Sequence, residues 1–213
     1  MRIILLGAPG AGKGTLATAI KAKLGVLHIS TGDLLREELK NKTPLGLEAK
    51  KFIEAGTLVP DSLVIQLIEN KLAASDIVKG YMLDGFPRNK AQAEALDAMM
   101  TKRQQPVDIA LYLEASLPVV LQRLTGRRVC RACGAVFHLT NMPPRQAGVC
   151  DACGGELYQR TDDNEETIKK RMDVFLDTTR PMIEYYRAQN KLVTVNADQE
   201  STEVVKAALK LFS

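Results

Sequence analysis

Tryptophan is absent from this 213-residue chain, and aromatic residues make up only 5% of it. Proteins that hold single-stranded nucleic acid rely on aromatic stacking, so that partner is poorly provided for. A strong charge of one sign is missing too. The balance of 29 Lys+Arg against 25 Asp+Glu leaves a net +4, too mild to imply a nucleic-acid partner without clustering on one face. Apolar runs such as Ile3-Ile4-Leu5-Leu6 are a few residues long, where a membrane-crossing helix needs ~20. Arg2 and the apolar stretch behind it are cut short by Gly7-Ala8-Pro9-Gly10, too early for an export leader. The expectation is a cytoplasmic chain with no membrane partner. Cysteine is scarce, and all 4 lie between Cys130 and Cys153, which suggests a metal before disulfides in a reducing compartment. What remains is ordinary for a globular protein: 46% hydrophobic and 25% charged residues.

Short apolar runs alternate with helix-period segments. Arg2–Leu6, Leu27–Ile29, Tyr81–Leu83, Ile109–Leu113 and Leu192–Val195 read as buried strands. Helical stretches between them predict βαβ units and a parallel sheet. Lys13–Leu24 places Leu16, Ile20 and Leu24 on one face, and Asp61 is expected to cap a helix carrying Val64, Leu67, Ile68 and Leu72. Ser116-Leu117-Pro118 starts a further helix that Gly126 stops, with Arg123, Arg127 and Arg128 at its end. Asp163 and Glu166 resemble a capping box for a long helix that Pro181 breaks or kinks. Residues 31–59 and 127–163 interrupt the alternation, as excursions from one core.

Gly7-Ala8-Pro9-Gly10-Ala11-Gly12-Lys13-Gly14-Thr15 lies directly between a predicted strand and a predicted helix. It satisfies G-x-x-x-x-G-K in the context that motif requires. Small residues let successive backbone N–H groups turn inward around an anion. The helix N-terminus adds a positive dipole end, and Lys13 adds a cation for the outer phosphates. A GTPase would read guanine with Asn-Lys-x-Asp. The four Asn-Lys pairs, at Asn41, Asn70, Asn89 and Asn190, instead run to Pro44, Ala73, Gln92 and Val193. A kinase needs a second phosphate site opposite the first. Arg36, Arg88, Arg123, Arg127, Arg160 and Arg171 arrive from separate segments. Such a gathering of guanidinium forks suits phosphate oxygens. Arg160 and Arg171 are eleven apart, so they share a face if one helix spans both.

Gly7–Thr15, Ser30-Thr31-Gly32-Asp33, Asp84-Gly85-Phe86-Pro87-Arg88, Gly126-Arg127-Arg128 and Arg160-Thr161-Asp162-Asp163 stand in the order of the adenylate kinase motifs. The chain resembles that family from Met1 to its C-terminal helix, in the bacterial form with a long, zinc-containing lid. The resemblance implies an α/β fold of the P-loop NTPase type: a parallel five-stranded sheet flanked by helices, with two inserted mobile subdomains. The core would comprise 1–29, 60–126 and 165–213, with 30–59 as the nucleotide-monophosphate insertion and 127–164 as the lid. The implied activity is Mg²⁺-dependent, reversible phosphoryl transfer from ATP to AMP giving two ADP, which maintains adenine nucleotide balance.

By motif match, ATP would be held by Gly10, Ala11, Gly12, Lys13, Gly14, Thr15, Arg123, Arg127, Val136, Phe137 and the backbone at Gln199. AMP would be held by Thr31, Arg36, Thr57, Leu58, Val59, Gly85, Phe86, Pro87, Arg88 and Gln92, with Arg160 and Arg171 bridging the transferred group. Lys13, Arg88, Arg123, Arg160, Arg171 and Asp84 would form the catalytic set, Asp33 and Asp84 orienting Mg²⁺ through water. UMP or CMP is the near alternative acceptor.

Cys130-x-x-Cys133 and Cys150-x-x-Cys153, sixteen residues apart, have zinc-ribbon spacing, with Gly134 and Gly154 following each pair. Four thiolates fill a tetrahedral shell, so the Zn²⁺ would be structural. A redox pair or two disulfides are the alternatives. His28 and His138 are expected to be ordinary polar residues. From other classes, a nucleic-acid module with a regulatory P-loop and a non-catalytic nucleotide scaffold are weighed and set behind a monomeric kinase acting on ATP and AMP.

Overall fold

The computed structural model describes residues 1–73 and 77–212. Its centre is a five-stranded sheet of β1 (Arg2–Gly7), β2 (Leu27–Ser30), β3 (Tyr81–Asp84), β4 (Ile109–Glu114) and β8 (Leu192–Asn196), in the order β2-β3-β1-β4-β8. All four pairings are parallel. Helices cover both faces, so the strands are apolar on both sides rather than alternating. Ile4, Leu6, Tyr81 and Leu83 are buried on one face, and Ile3, Leu5, Met82 and Leu111 on the other. The five runs expected from the sequence are these five strands.

Helix α1 (Lys13–Leu24) leaves β1 through the glycine loop, with Gly12 at φ 99° as its N-cap. The first excursion is two helices, α2 (Thr31–Lys40) and α3 (Pro44–Ala55). Ser30 Oγ accepts from Asp33 N and Thr43 Oγ1 from Gly46 N, capping them in turn. Gly46 allows their close crossing, since a Cβ there would lie 2.3 Å from the Glu38 carbonyl. α4 (Asp61–Ala73) returns to the core, and α5 (Lys90–Lys102) and α6 (Leu117–Thr125) follow β3 and β4.

The second excursion is a small antiparallel sheet of β5 (Arg127–Cys130), β6 (Val136–His138) and β7 (Leu157–Tyr158), in the order β6-β5-β7. Arg127 and Arg128 therefore lie on a strand rather than at the end of α6, because Gly126 closes the helix first. His138 pins this sheet to the core. Its Nε2 lies 3.1 Å from the Gln122 carbonyl, while its Nδ1 accepts from Thr140 N and Asn141 N. A Cβ on Gly126 would fall 2.3 Å from that Nε2, so the junction needs glycine.

The expected capping box at Asp163 is replaced by Asn164, whose side chain accepts from Thr167 N at the start of α7 (Glu165–Val174). Asp163 is fully buried and spent on an ion pair. The helix also begins too late to include Arg160. The break expected at Pro181 is a turn of π-helix over Phe175–Thr179, leading into α8 (Pro181–Ala188) with proline at its start. Arg180 N bonds the Phe175 carbonyl five residues back, a widened turn that accommodates the missing proline donor. α9 (Ser201–Lys210) packs on α1 and ends the chain's regular structure.

Candidate active site

Parallel sheets gather ligands beyond the carboxyl ends of their strands, where the strand order reverses. The glycine loop after β1, Ser30–Arg36 after β2 and Asp84–Gln92 after β3 all emerge there. Gly10 and Gly12 hold φ 77° and 99°, a left-handed backbone that tightens the loop. A Cβ at Gly10 would lie 2.8 Å from Leu124 Cγ. Lys13 Nζ donates to the carbonyls of Gly7 and Ala8 at 2.9 and 3.0 Å. Burial lowers its pKa to about 8 against the attraction of Asp84, and Arg88, Arg171 and Arg127 lower it further.

Two cavities open on this edge. One, of about 650 Å³ including its mouth, is lined by Thr31, Arg36, Thr57, Arg88, Gln92 and Arg160 among others. The second, of about 560 Å³, is lined by Gly7, Pro9, Lys13, Pro87 and Phe175 among others. Both share Gly85, Arg88 and Arg171.

 Arg88 Nε donates to the Gly85 carbonyl at 2.9 Å, and burial lowers its pKa with Asp84 opposing.

Arg160 and Arg171 do meet, through a carboxylate rather than a shared helix face. Arg160 grips Asp162 with two hydrogen bonds of 2.9 and 2.7 Å, and Arg171 Nη1 lies 3.0 Å from the same carboxylate. Burial alone would push Asp162 upward, but the Arg160 contacts, Arg171 and Arg127 bring its pKa down to about 2. Burial lowers Arg171 to about 10 despite Asp162. Arg127 pairs with Asp163 at 2.7 and 2.6 Å. Asp162 and Asp163 were absent from the expected site, and the signal for them was the arginine gathering itself: buried guanidinium groups need counter-charges.

Arg36 pairs with Asp33 one helical turn away, and both line or flank the first cavity. Thr31 Oγ1 is buried in that cavity's wall with no hydrogen-bond partner among the described residues. Leu58 lines both cavities, Val59 lines the first, and Phe86 is buried against the core. Arg123 Nη2 donates to the Gln199 carbonyl at 2.8 Å and its Nη1 reaches Ala11 O at 3.4 Å, joining three expected ATP residues behind the glycine loop. Gly14 and Thr15 are exposed there. Val136 and Phe137 sit on β6, Val136 half-exposed. Asp84 lies 3.9 Å from His28 Nε2, a buried nitrogen without a hydrogen bond among the described residues. Asp61 is not a cap: it is the first residue of α4, and its carboxylate accepts from Asn89 and Gln92.

In the small sheet the two Cys-x-x-Cys-Gly turns are copies of one another. Gly134 N and Gly154 N bond the carbonyls of Cys130 and Cys150, with φ 74° and 72°. All four sulfurs lie within 4.8 Å of one another, with Cys130–Cys153 at 3.5 Å and Cys133–Cys150 at 3.6 Å. Tetrahedral zinc with Zn–S bonds of ~2.3 Å would space sulfurs about 3.8 Å apart. The thiol set therefore fits a structural zinc ion, and those separations are far too long for disulfide bonds.

Comparison with known proteins decides between the kinases. The sequence profile of the family described as Adenylate kinase matches residues 5–191. The chain belongs to the adenylate kinase family. It is 49% identical to an adenylate kinase of Caldicellulosiruptor saccharolyticus, over 99% of this chain and 98% of that one. A Syntrophobacter fumaroxidans adenylate kinase is 56% identical over 90% of each chain, and one from Clostridium tetani 48% identical over 96% of this chain and 94% of that one. This adenylate kinase-family chain is accordingly a nucleoside monophosphate kinase, a phosphotransferase of the kind that works on Mg-ATP.

Proposed function

We propose that the chain transfers the terminal phosphoryl group of ATP to AMP, reversibly and with Mg²⁺, and that the two cavities divide the reactants. The observation that carries this reading is the wall common to both cavities, Gly85, Arg88 and Arg171. Two phosphate chains entering from opposite sides meet there. The Lys13 side takes ATP, with its adenine end toward Gln199, Val136 and Phe137. The Thr31–Arg36 side takes AMP, whose phosphate meets Arg36, Arg88 and the unpartnered Thr31 hydroxyl.

Phosphoryl transfer leaves little covalent work for a protein, so catalysis is alignment together with charge stabilisation. No general base is required, because the AMP phosphate is already anionic. Lys13, Arg88, Arg123, Arg160 and Arg171 face the charge that spreads over the transferred group. Asp33 and Asp84 are the residues that would hold Mg²⁺ through water, and the ion would offset phosphate charge there. Residues 30–59 and 127–164 act as the moving insertions, closing over the reactants so that ATP is not lost to water. Cys130, Cys133, Cys150 and Cys153 would hold Zn²⁺, which would cross-link the lid. The working unit in this reading is a monomer, placed in the cytoplasm and needing neither nucleic acid nor membrane.

The test is ADP production from ATP with AMP, UMP, CMP or GMP. AMP is expected to be the preferred acceptor, with Lys13→Ala and Arg88→Ala each at least about a hundredfold slower. A preference for another acceptor, or full activity in both variants, would overturn the assignment.

A further inference from the structure

The Gln92 side chain is fully buried in the wall of the first cavity, and both ends of its amide are already engaged. Oε1 accepts from Arg88 N at 2.7 Å, and Nε2 donates to Asp61 Oδ1 at 2.6 Å. Each partner has one role only: a backbone N–H donates, and a carboxylate accepts. The orientation of the amide is thus dictated twice. Asn89 completes the network. Its Nδ2 donates to Asp61 Oδ1 and Oδ2 at 2.9 and 3.0 Å, while its Oδ1 accepts from Gln92 N at 2.9 Å and caps α5.

We propose that Asp61 is a positioning residue that sets base selectivity, by locking the Gln92 amide so that it accepts an adenine-type edge and rejects a 6-oxopurine. The inference rests on the reading of this cavity as the AMP site. One amide proton and one carbonyl lone pair of Gln92 have no partner among the described residues. Adenine offers a 6-amino donor beside the N1 acceptor. Hypoxanthine and guanine offer the reverse, a 6-oxo acceptor beside an N1–H donor. A freely turning glutamine amide matches either edge by flipping. A locked one meets the wrong edge with donor against donor and acceptor against acceptor, leaving buried polar groups unpaired. Reversing the amide would also aim Nε2 at the Arg88 N–H and Oε1 at the Asp61 carboxylate. Asp61 touches no substrate in this account. It acts through Gln92.

The experiment compares AMP with IMP, which differs from it at the 6-position edge without an added 2-amino group. Steady-state kcat and KM are measured for wild type, Asp61→Asn, Asp61→Ala and Gln92→Ala. Asparagine is nearly isosteric with aspartate but both donates and accepts, so it removes one of the two constraints on the amide and leaves only the Arg88 N–H to hold its orientation. Asp61→Asn is expected to lower the AMP-over-IMP ratio of kcat/KM at least about tenfold. The loss should come mainly through a higher KM for AMP, with kcat at saturation within about threefold. Asp61→Ala should lower the ratio likewise. A role confined to folding would depress kcat and stability while leaving the ratio intact, and that result in the two Asp61 variants would overturn the proposal. Gln92→Ala separates the two readings. If it collapses the ratio while the Asp61 variants retain it, the lock is wrong and the AMP site stands. If Gln92→Ala itself leaves the ratio unchanged, the assignment of the cavity falls, and the lock with it.

Discussion

At the scale of single residues, Lys13 shows how burial tunes the cation beside the glycine loop. An ordinary lysine stays charged to about pH 10, whereas this one is drawn down to about 8 by burial. The charged form is the one that meets a phosphate. Raising the pH through about 8 should therefore lower kcat/KM for ATP, which reports the free enzyme. Stability responds in the opposite sense. Between about 8 and the unfolded lysine value the unfolded chain binds more protons than the folded one, so this group's contribution to stability rises with pH in that window. An ATP kcat/KM that stays flat between pH 7 and 9.5 would show that Lys13 carries no such shift. Asp162 has the contrary sign. Its carboxyl, held at about 2, stabilises the fold above the ordinary carboxylate range and ceases to do so as pH falls through about 2.

At the scale of elements, the α2–α3 pair depends on one close approach. A methyl at Gly46 would meet the Glu38 carbonyl at 2.3 Å and Leu39 N at 2.5 Å, both rigid backbone. Gly46→Ala should force the helices apart at a cost of about 1–3 kcal/mol. Because this pair carries Thr31 and Arg36 toward the first cavity, the KM for AMP should rise about tenfold, with the KM for ATP changed far less. Equal changes in both constants, in a variant melting at the wild-type temperature, would contradict that division. The π-turn before Pro181 belongs to the same scale. Residues Arg171 and Phe175 both line the second cavity, on either side of the junction between α7 and that turn.

At the scale of the whole molecule, the weakest unit is the small sheet. Its buried cluster is Cys130, Cys150 and Leu157, with Ala135 and Phe137 packed partly against it. So few apolar groups do not offset the entropy of ordering such a segment, and a tetrahedral metal would supply the missing cohesion. Stripping the metal, or Cys130→Ser, should lower the melting midpoint by about 5–10 °C for a chain of this size, while much of the activity survives at low temperature. Calorimetry, with a chromogenic chelator to count released metal, checks this. An unchanged midpoint after complete metal release would show that the lid stands without it.

The five core strands, the glycine loop, the four-cysteine spacing and the two excursions were all legible along the chain. Each is a local pattern, an apolar run or a fixed spacing, and local patterns survive without knowledge of partners. The carboxylates were a different matter. Asp61 reads as a cap and Asp163 as half of a capping box, because both stand near helix starts where either role is plausible. Only the tertiary structure brings Asp61 to Gln92 and Asp163 to Arg127, across separations of 31 and 36 residues. Likewise Arg160 and Arg171 share a carboxylate, not a helix face. Spacing in sequence determined what kind of chemistry this chain performs. Which acid neutralises which base was decided by folding, since opposite charges pair through space and leave no period in the sequence to read.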